Sequence, residues 1–180
     1  DYIHIDIMDG NYVPNTAFGP STVKTLRSIT NKILDVHLMI SPVLKNIEEY
    51  AEAGADIISF HPEADPEPLK IINLIRSLNC KPGIAIHPNL TINEIEKYLS
   101  LVDSVIVMTV IPGRGGQQFI KDQAIKISLL KSLRDEHKFN YEIEADGGII
   151  KESGNICKEN GADVLVSGSY IFKSDNIKYK

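Results

Sequence analysis

Seven short runs rich in isoleucine and valine recur along the chain, at residues 2–8, 32–39, 56–60, 82–87, 104–110, 141–145 and 163–167. Longer amphipathic segments separate them, and this alternation constrains the fold more than any other feature. Runs of this length and composition read as buried strands, whereas residues 42–53, 66–78 and 92–101 repeat apolar positions at helical spacing. Strand and helix in regular alternation give a parallel sheet covered by helices. Gly54 and Gly161 fall where helices should stop, and each opens a Gly-Ala-Asp connector to the next run. No Gly-x-Gly-x-x-Gly follows the first run, so a dinucleotide-binding sheet is not expected.

A closed TIM (β/α)8 barrel needs eight strands, and seven runs are visible. The chain begins inside a strand, and residues 171–180 form a short, polar stand-in for a closing helix. The expectation is a single domain over residues 1–180: a TIM (β/α)8-type barrel whose first strand and first helix, about 30 residues, are missing, and whose last helix is shortened. Hydrophobic residues make up 43% of the chain, enough for a packed core and against disorder. The net charge of -5 without basic clusters gives no footprint for nucleic acid, and no apolar run approaches a membrane span. Cys80 and Cys157 lie far apart without metal-ligand spacing and read as reduced thiols of a cytoplasmic protein.

In such a barrel the C-terminal strand ends carry the chemistry. By the period of two, His4, Asp6 and Met8 share one face of the first run, and Asp35, His37 and Met39 share one face of the second. The third run ends in His61, the fourth in His87 and the fifth holds Met108. The sixth gathers Glu142, Glu144 and Asp146 before Gly147 and Gly148, and the seventh leads into Gly168 and Ser169. For any one inward polar group, a hydrogen-bonded network is the plainer account, because buried polar groups are paired. Histidines and aspartates at the same end of three strands instead make a nitrogen and oxygen set suited to Zn, Fe, Mn or Co, less so to calcium or magnesium. His61 is expected to line the pocket, and His87, before a proline, to be a polar strand terminus; neither enters the metal set.

The motifs "HIDIMDGNYVPN", "DVHLMI", "VMTVIPGRGGQQFI", "EADGGI" and "VSGSYIF" resemble, in that order, the ribulose-phosphate 3-epimerase family of metal-dependent β/α barrels, from the first residue to about Lys173. The resemblance implies one divalent ion held by His4, Asp6, His37 and Asp146. It further implies that Asp6 and Asp146 are the acid/base pair in the interconversion of D-ribulose 5-phosphate and D-xylulose 5-phosphate, a step of the pentose phosphate pathway. That reaction moves a proton at C3 through an enediolate. An aspartate of pKa about 3.9 is too weak a base unaided. A cation that lowers the pKa of bound water from about 15.7 to about 7 supplies ~12 kcal/mol, against about 3–4 kcal/mol for one hydrogen bond. Met8, Met39 and Met108 match the family's pocket methionines, with core packing as the equal alternative.

Phosphate calls for a separate site, and barrels commonly bind it with loop amides after the last strands. The substrate-binding set expected here is His37, Gly113, Arg114, Gly115, Gly116, Gly147, Gly148, Gly168 and Ser169, with "PGRGGQ" covering the substrate as in the family. Two departures stand out: Ile111 precedes Pro112, and Arg114 replaces the family's phenylalanine. The family's substrate-contacting serine on the first strand has no counterpart, from which metal binding with poor turnover is expected. A small-molecule sugar phosphate as partner and a homo-oligomeric state complete the expectations. The rival readings are epimerisation of another ketose phosphate such as allulose 6-phosphate, and a non-catalytic phosphate-binding barrel. A Schiff-base aldolase would need a lysine at an inner strand end, and none is there.

Overall fold

The structure is a computed structural model in which residues 1–174 are described. Its strands are β1 (Tyr2–Asp9), β2 (Thr16–Ala17), β3 (Ile33–Met39), β4 (Ile57–Phe60), β5 (Lys81–Ile86), β6 (Ser104–Met108), β7 (Glu142–Asp146) and β8 (Val164–Val166). The helices are α1 (Pro20–Ile29), α2 (Ile47–Glu52), α3 (Pro68–Ser77), α4 (Ile92–Ile95), α5 (Ala124–His137), α6 (Lys151–Asn160) and α7 (Ser169–Phe172). All seven apolar runs are strands. Strand β2 has no apolar run to announce it. It pairs antiparallel with Met8 and Asp9 because the Asp9 carboxylate folds the chain back, accepting the N–H groups of Asn11 (2.8 Å) and Tyr12 (3.0 Å). The other Asp9 oxygen accepts Ser41 N–H (2.8 Å), which ties this turn to the loop after β3.

The sheet order is β2-β1-β3-β4-β5-β6-β7-β8, and every pairing except β1 with β2 is parallel. It curls into an open barrel: Tyr2 on β1 donates its phenolic O–H to Glu142 on β7 (2.9 Å). Among the described residues β1 and β8 do not pair, and a further parallel strand would have to stand between them to close the ring. Of the segment 171–180 expected to stand in for a closing helix, residues 171 and 172 belong to the short α7, which starts at Ser169, and residues 175–180 lie outside the described residues. No helix among the described residues is long and apolar enough to cross a membrane.

The outward faces of the strands carry the main core. Ile5, Ile7, Leu34, Val36, Leu38, Ile58, Phe60, Ile84, Val105, Val107 and Ile143 are buried there with Ile47, Ile71, Ile75 and Leu130 of the helices. At about 1.5–3 kcal/mol for each such side chain removed from water, this layer supplies enough apolar burial to leave the inward face free for polar groups. The inward apolar cluster is small: Ala85, Ile106, Met108 and Val110.

At the N-terminal face a repeated device ties helix to strand. Asp56, Asp103 and Asp163, each just before a strand, pair with Arg27 (2.8 Å), Arg76 (2.9 Å) and Arg134. Asp56 and Asp163 also accept the N–H groups of Leu34 and Ile143 (2.8 Å each). These two are the aspartates of the Gly-Ala-Asp connectors. In the second connector Gly161 caps α6 at φ +105°, a left-handed conformation open to glycine at little cost.

Candidate active site

Strand pairing determines which side chains meet. The register sets His4 beside Asp35 and Asp6 beside His37 across β1 and β3, and Met108 beside Asp146 across β6 and β7. Curling of the sheet then brings β7 to β1. His37 Nδ1 lies 3.1 Å from Asp6 Oδ1 and 3.9 Å from Asp146 Oδ2. His4 Nε2 lies 3.4 Å from Asp6 Oδ1 and 3.9 Å from Asp146 Oδ2. One donor atom from each of the four residues lies within 4.8 Å of all the others.

Whether these groups suit a cation follows from their spacing and chemistry. Four donors about 2.1 Å from a tetrahedral centre stand roughly 3.4 Å apart, and the contacts above run from 3.1 to 3.9 Å. His4 Nε2 is buried and has no hydrogen-bond partner among the described residues. Two imidazole nitrogens and two carboxylates, with one nitrogen otherwise unsatisfied, fit a divalent ion.

The groups behind the cluster hold it in place. His4 Nδ1–H donates to Asp35 Oδ2 at 2.5 Å, which turns Nε2 toward the cluster. Asp35 is 1% exposed, and it sits beside the equally buried Glu144, whose carboxyl accepts the Ser104 hydroxyl. Burial alone would lower the His4 pKa; the Asp35 carboxylate outweighs it and lifts the imidazole well above its usual range. Burial, then the charge of Asp35, pushes Glu144 up to about 8. Burial, then the charge of Asp6, pushes Asp146 up to about 6. For Asp6 burial is overcome by the adjoining imidazoles of His37 and His4, which hold it well below the carboxylate range. The two aspartates at the mouth are thus pushed in opposite directions, the pattern of an acid and a base sharing one site.

The residues expected on the substrate side divide. Gly113, Arg114 and Gly115 line a shallow cavity of about 500 Å³ with Met8, Asn15 and Thr16. Asn15 Nδ2 donates to Gly113 O (2.7 Å), so the turn after β1 holds the glycine-rich loop. Gln117 staples that loop by donating to Ile111 O (2.6 Å) and Arg114 O (2.8 Å). Gly115 and Gly116 face Ser169, whose hydroxyl lies 3.5–3.6 Å from where their Cβ atoms would be. Gly148 is different: at φ +65°, a Cβ there would come within 2.6 Å of Phe119 N, so a close backbone crossing needs glycine. Of the methionines, Met8 borders the cavity, while Met39 and Met108 are buried.

His61 departs from the expectation that it lines the pocket. It is fully buried behind His37, with its Nε2 3.0 Å from His37 Nε2. Burial lowers its pKa to about 4, so the ring is uncharged. Sequence reasoning also gave no role to Asp35, Glu144, Glu63 and Tyr12; the inward alternation of Asp35 and Glu144 was the available signal for two of them. His87 directly follows β5, its Nδ1 accepting Asn89 N–H at 3.2 Å.

Comparison with known proteins points in one direction. A family model described as the ribulose-phosphate 3 epimerase family matches residues 1–172. The ribulose-phosphate 3-epimerase of Rhodobacter capsulatus is 41% identical over 177 residues, which cover 98% of this chain and 76% of that protein. The Bacillus subtilis protein of the same name is 42% identical over 179 residues, covering 99% of this chain and 82% of its own length. Among solved structures, 3-keto-L-gulonate-6-phosphate decarboxylase from Vibrio cholerae superposes with a TM-score of 0.71 at 19% identity, covering 97% of this chain and 80% of the other. The tryptophan synthase complex from Pyrococcus furiosus does so with a TM-score of 0.67 at 16% identity, covering 96% and 77%. At such identities the likeness is one of fold, a TIM barrel.

Proposed function

This chain belongs to the ribulose-phosphate 3-epimerase family, and on that premise we propose that it interconverts D-ribulose 5-phosphate and D-xylulose 5-phosphate by proton transfer at C3, with Asp6 and Asp146 as the acid/base pair. The observation that carries the reading is the meeting of His4, Asp6, His37 and Asp146 within 4.8 Å at the mouth of the barrel. Asp6 comes from β1 and Asp146 from β7, so the two carboxylates reach the substrate from different strands. One takes the C3 proton from one side of the sugar, and the other returns a proton to the opposite side. Each is base in one direction and acid in the other, so the enzyme ends the cycle with one proton held between them. With Asp146 raised and Asp6 lowered, Asp146 is the carboxyl that more readily holds the shared proton.

His4, Asp6, His37 and Asp146 would hold the divalent ion, Zn, Fe, Mn or Co, that supplies positive charge against the oxygens turning negative as the C3 proton leaves. The chain's own residues do the rest. Asp35 orients His4; Met8 and the 113–115 loop border the entrance; Gly115, Gly116 and Ser169 form the corner suited to the phosphate. Gly113, Arg114, Gly147, Gly148 and Gly168 complete the substrate-binding set, and His37 belongs to both sets.

The test is solvent deuterium incorporation at C3 of ribulose 5-phosphate together with metal analysis, because isotope exchange registers slow proton removal as well as net epimerisation. Replacing Asp146 with asparagine (Asp146→Asn) should abolish the exchange and leave the fold intact. Exchange at the parent rate in that variant removes Asp146 from the mechanism.

A further inference from the structure

Behind the four clustered residues runs a second line of polar groups, in the turns after β4 and β1, that the proposed reaction does not use. His61 Nε2 faces His37 Nε2 at 3.0 Å, and neither ring is exposed. Only one of these two nitrogens can carry the proton of a neutral pair. The other end of His61 decides which. His61 Nδ1 is buried with no hydrogen-bond partner among the described residues, and the nearest carboxylate oxygen is Glu63 Oε1 at 3.5 Å. Glu63 is held there by the phenol of Tyr12, which donates to Oε1 at 2.7 Å. The Tyr12 ring also lies against the His61 ring, with centroids 4.8 Å apart.

A carboxylate accepts and does not donate. With its proton on Nδ1, His61 points an N–H at Glu63 and a lone pair at His37. With its proton on Nε2, it points a lone pair at the negative charge instead, the costlier arrangement for a ring that is itself fully buried. The first arrangement obliges His37 to carry its proton on Nε2. That leaves His37 Nδ1 as a bare lone pair 3.1 Å from Asp6 Oδ1, where two acceptors face each other unless a cation stands between them.

We propose that His61 is a positioning residue for the cation site: it accepts the Nε2 proton of His37, and so commits His37 Nδ1 to lone-pair donation toward Asp6 and Asp146, with Glu63 and Tyr12 fixing the tautomer of His61. The inference rests on reading the four-residue cluster as a cation site. It adds for His37 the service that Asp35 performs for His4, with a neutral acceptor in place of a charged one. Orienting partners of this kind are worth about 10–100-fold in metal affinity.

The experiment is a Co²⁺ titration of metal-stripped protein, comparing the parent with His61→Phe and His61→Gln. Phenylalanine fills the space and removes the acceptor; the glutamine carbonyl can reach the lost acceptor position. Phenylalanine should weaken Co²⁺ binding by about 10–100-fold, and glutamine should recover most of the affinity. Undiminished binding by His61→Phe overturns the proposal, and so does equal weakening in both variants, which would make the effect one of packing. A second measurement needs no variant: in the ¹⁵N-labelled parent loaded with Zn²⁺, His37 should carry a slowly exchanging proton on Nε2. A proton on His37 Nδ1 overturns the proposal. A parent protein that takes up no Co²⁺ refutes the cation-site reading itself, and the inference falls with it.

Discussion

Asp35 offers the sharpest test of how the cluster is held, because it touches His4 and stands outside the four donors. Its carboxylate accepts His4 Nδ1–H at 2.5 Å in a site 1% exposed. A hydrogen bond to a charged group contributes about 1.5–3 kcal/mol, and a neutral one about 0.5–1.5. Asp35→Asn keeps an acceptor oxygen and loses the charge, a change of about 1–1.5 kcal/mol, or roughly tenfold in Zn²⁺ affinity. Asp35→Ala leaves a buried N–H without a partner, costs about 1–3 kcal/mol more, and should approach the hundredfold end of the range for such partners. Competition between metal-stripped protein and a chromogenic chelator measures both. Thermal unfolding of the metal-free variants is the control, and it carries its own expectation. Glu144, raised from 4.5 to about 8 by burial and then by Asp35, holds a proton when folded that the unfolded chain gives up. Its contribution to stability is therefore full below pH 4.5 and lost as pH rises toward 8. Removing the Asp35 charge should flatten that loss. If both variants bind Zn²⁺ as tightly as the parent, the orientation argument is wrong for His4 and its extension to His37 loses its precedent.

Two further outcomes follow from the same geometry. Cation affinity should rise with pH, because binding must displace protons: His4 keeps its proton well above the ordinary imidazole range, and Asp146 keeps one up to about 6. The dependence should be about tenfold per pH unit near neutrality and steeper below about 6, read by isothermal titration across pH 5 to 8; a flat profile would refute these assignments. At the opposite face, Asp163→Ala removes the acceptor of Ile143 N–H and the partner of Arg134. It should lower unfolding free energy by about 1–3 kcal/mol while leaving KM unchanged, measured by urea denaturation and steady-state kinetics.

The sequence carried the barrel in the spacing of its apolar runs, because a strand buried beneath helices must be apolar on its outward face wherever it lies. Each of the seven runs is a strand for that reason, and the same alternation put His4, Asp6, Asp35 and His37 on the inward side. Strand β2 was hidden because two residues cannot show a period; the hydrogen bonds of Asp9 to Asn11, Tyr12 and Ser41 make it. The Gly-Ala-Asp connectors were readable as helix stops, but the role of Asp56 and Asp163 depends on Arg27 and Arg134, 29 residues away in each case.

His61 shows where local pattern stops informing. Within its own run it reads as a polar strand end, with nothing to separate a residue that faces substrate from one behind the site. The difference comes from register between chains of side chains. Pairing of β3 with β4 sets Ser59 against His37, so residue 61 is the next inward position beyond it. Gly83 on β5, opposite Ser59, keeps that side of the interior free of a side chain. The imidazole therefore slides behind His37 and Tyr12 closes over it. A histidine at a strand end is thus ambiguous until its cross-strand partners are known. What removes the ambiguity here is a carboxylate two residues along, in Glu63, aimed at the nitrogen that His37 leaves alone.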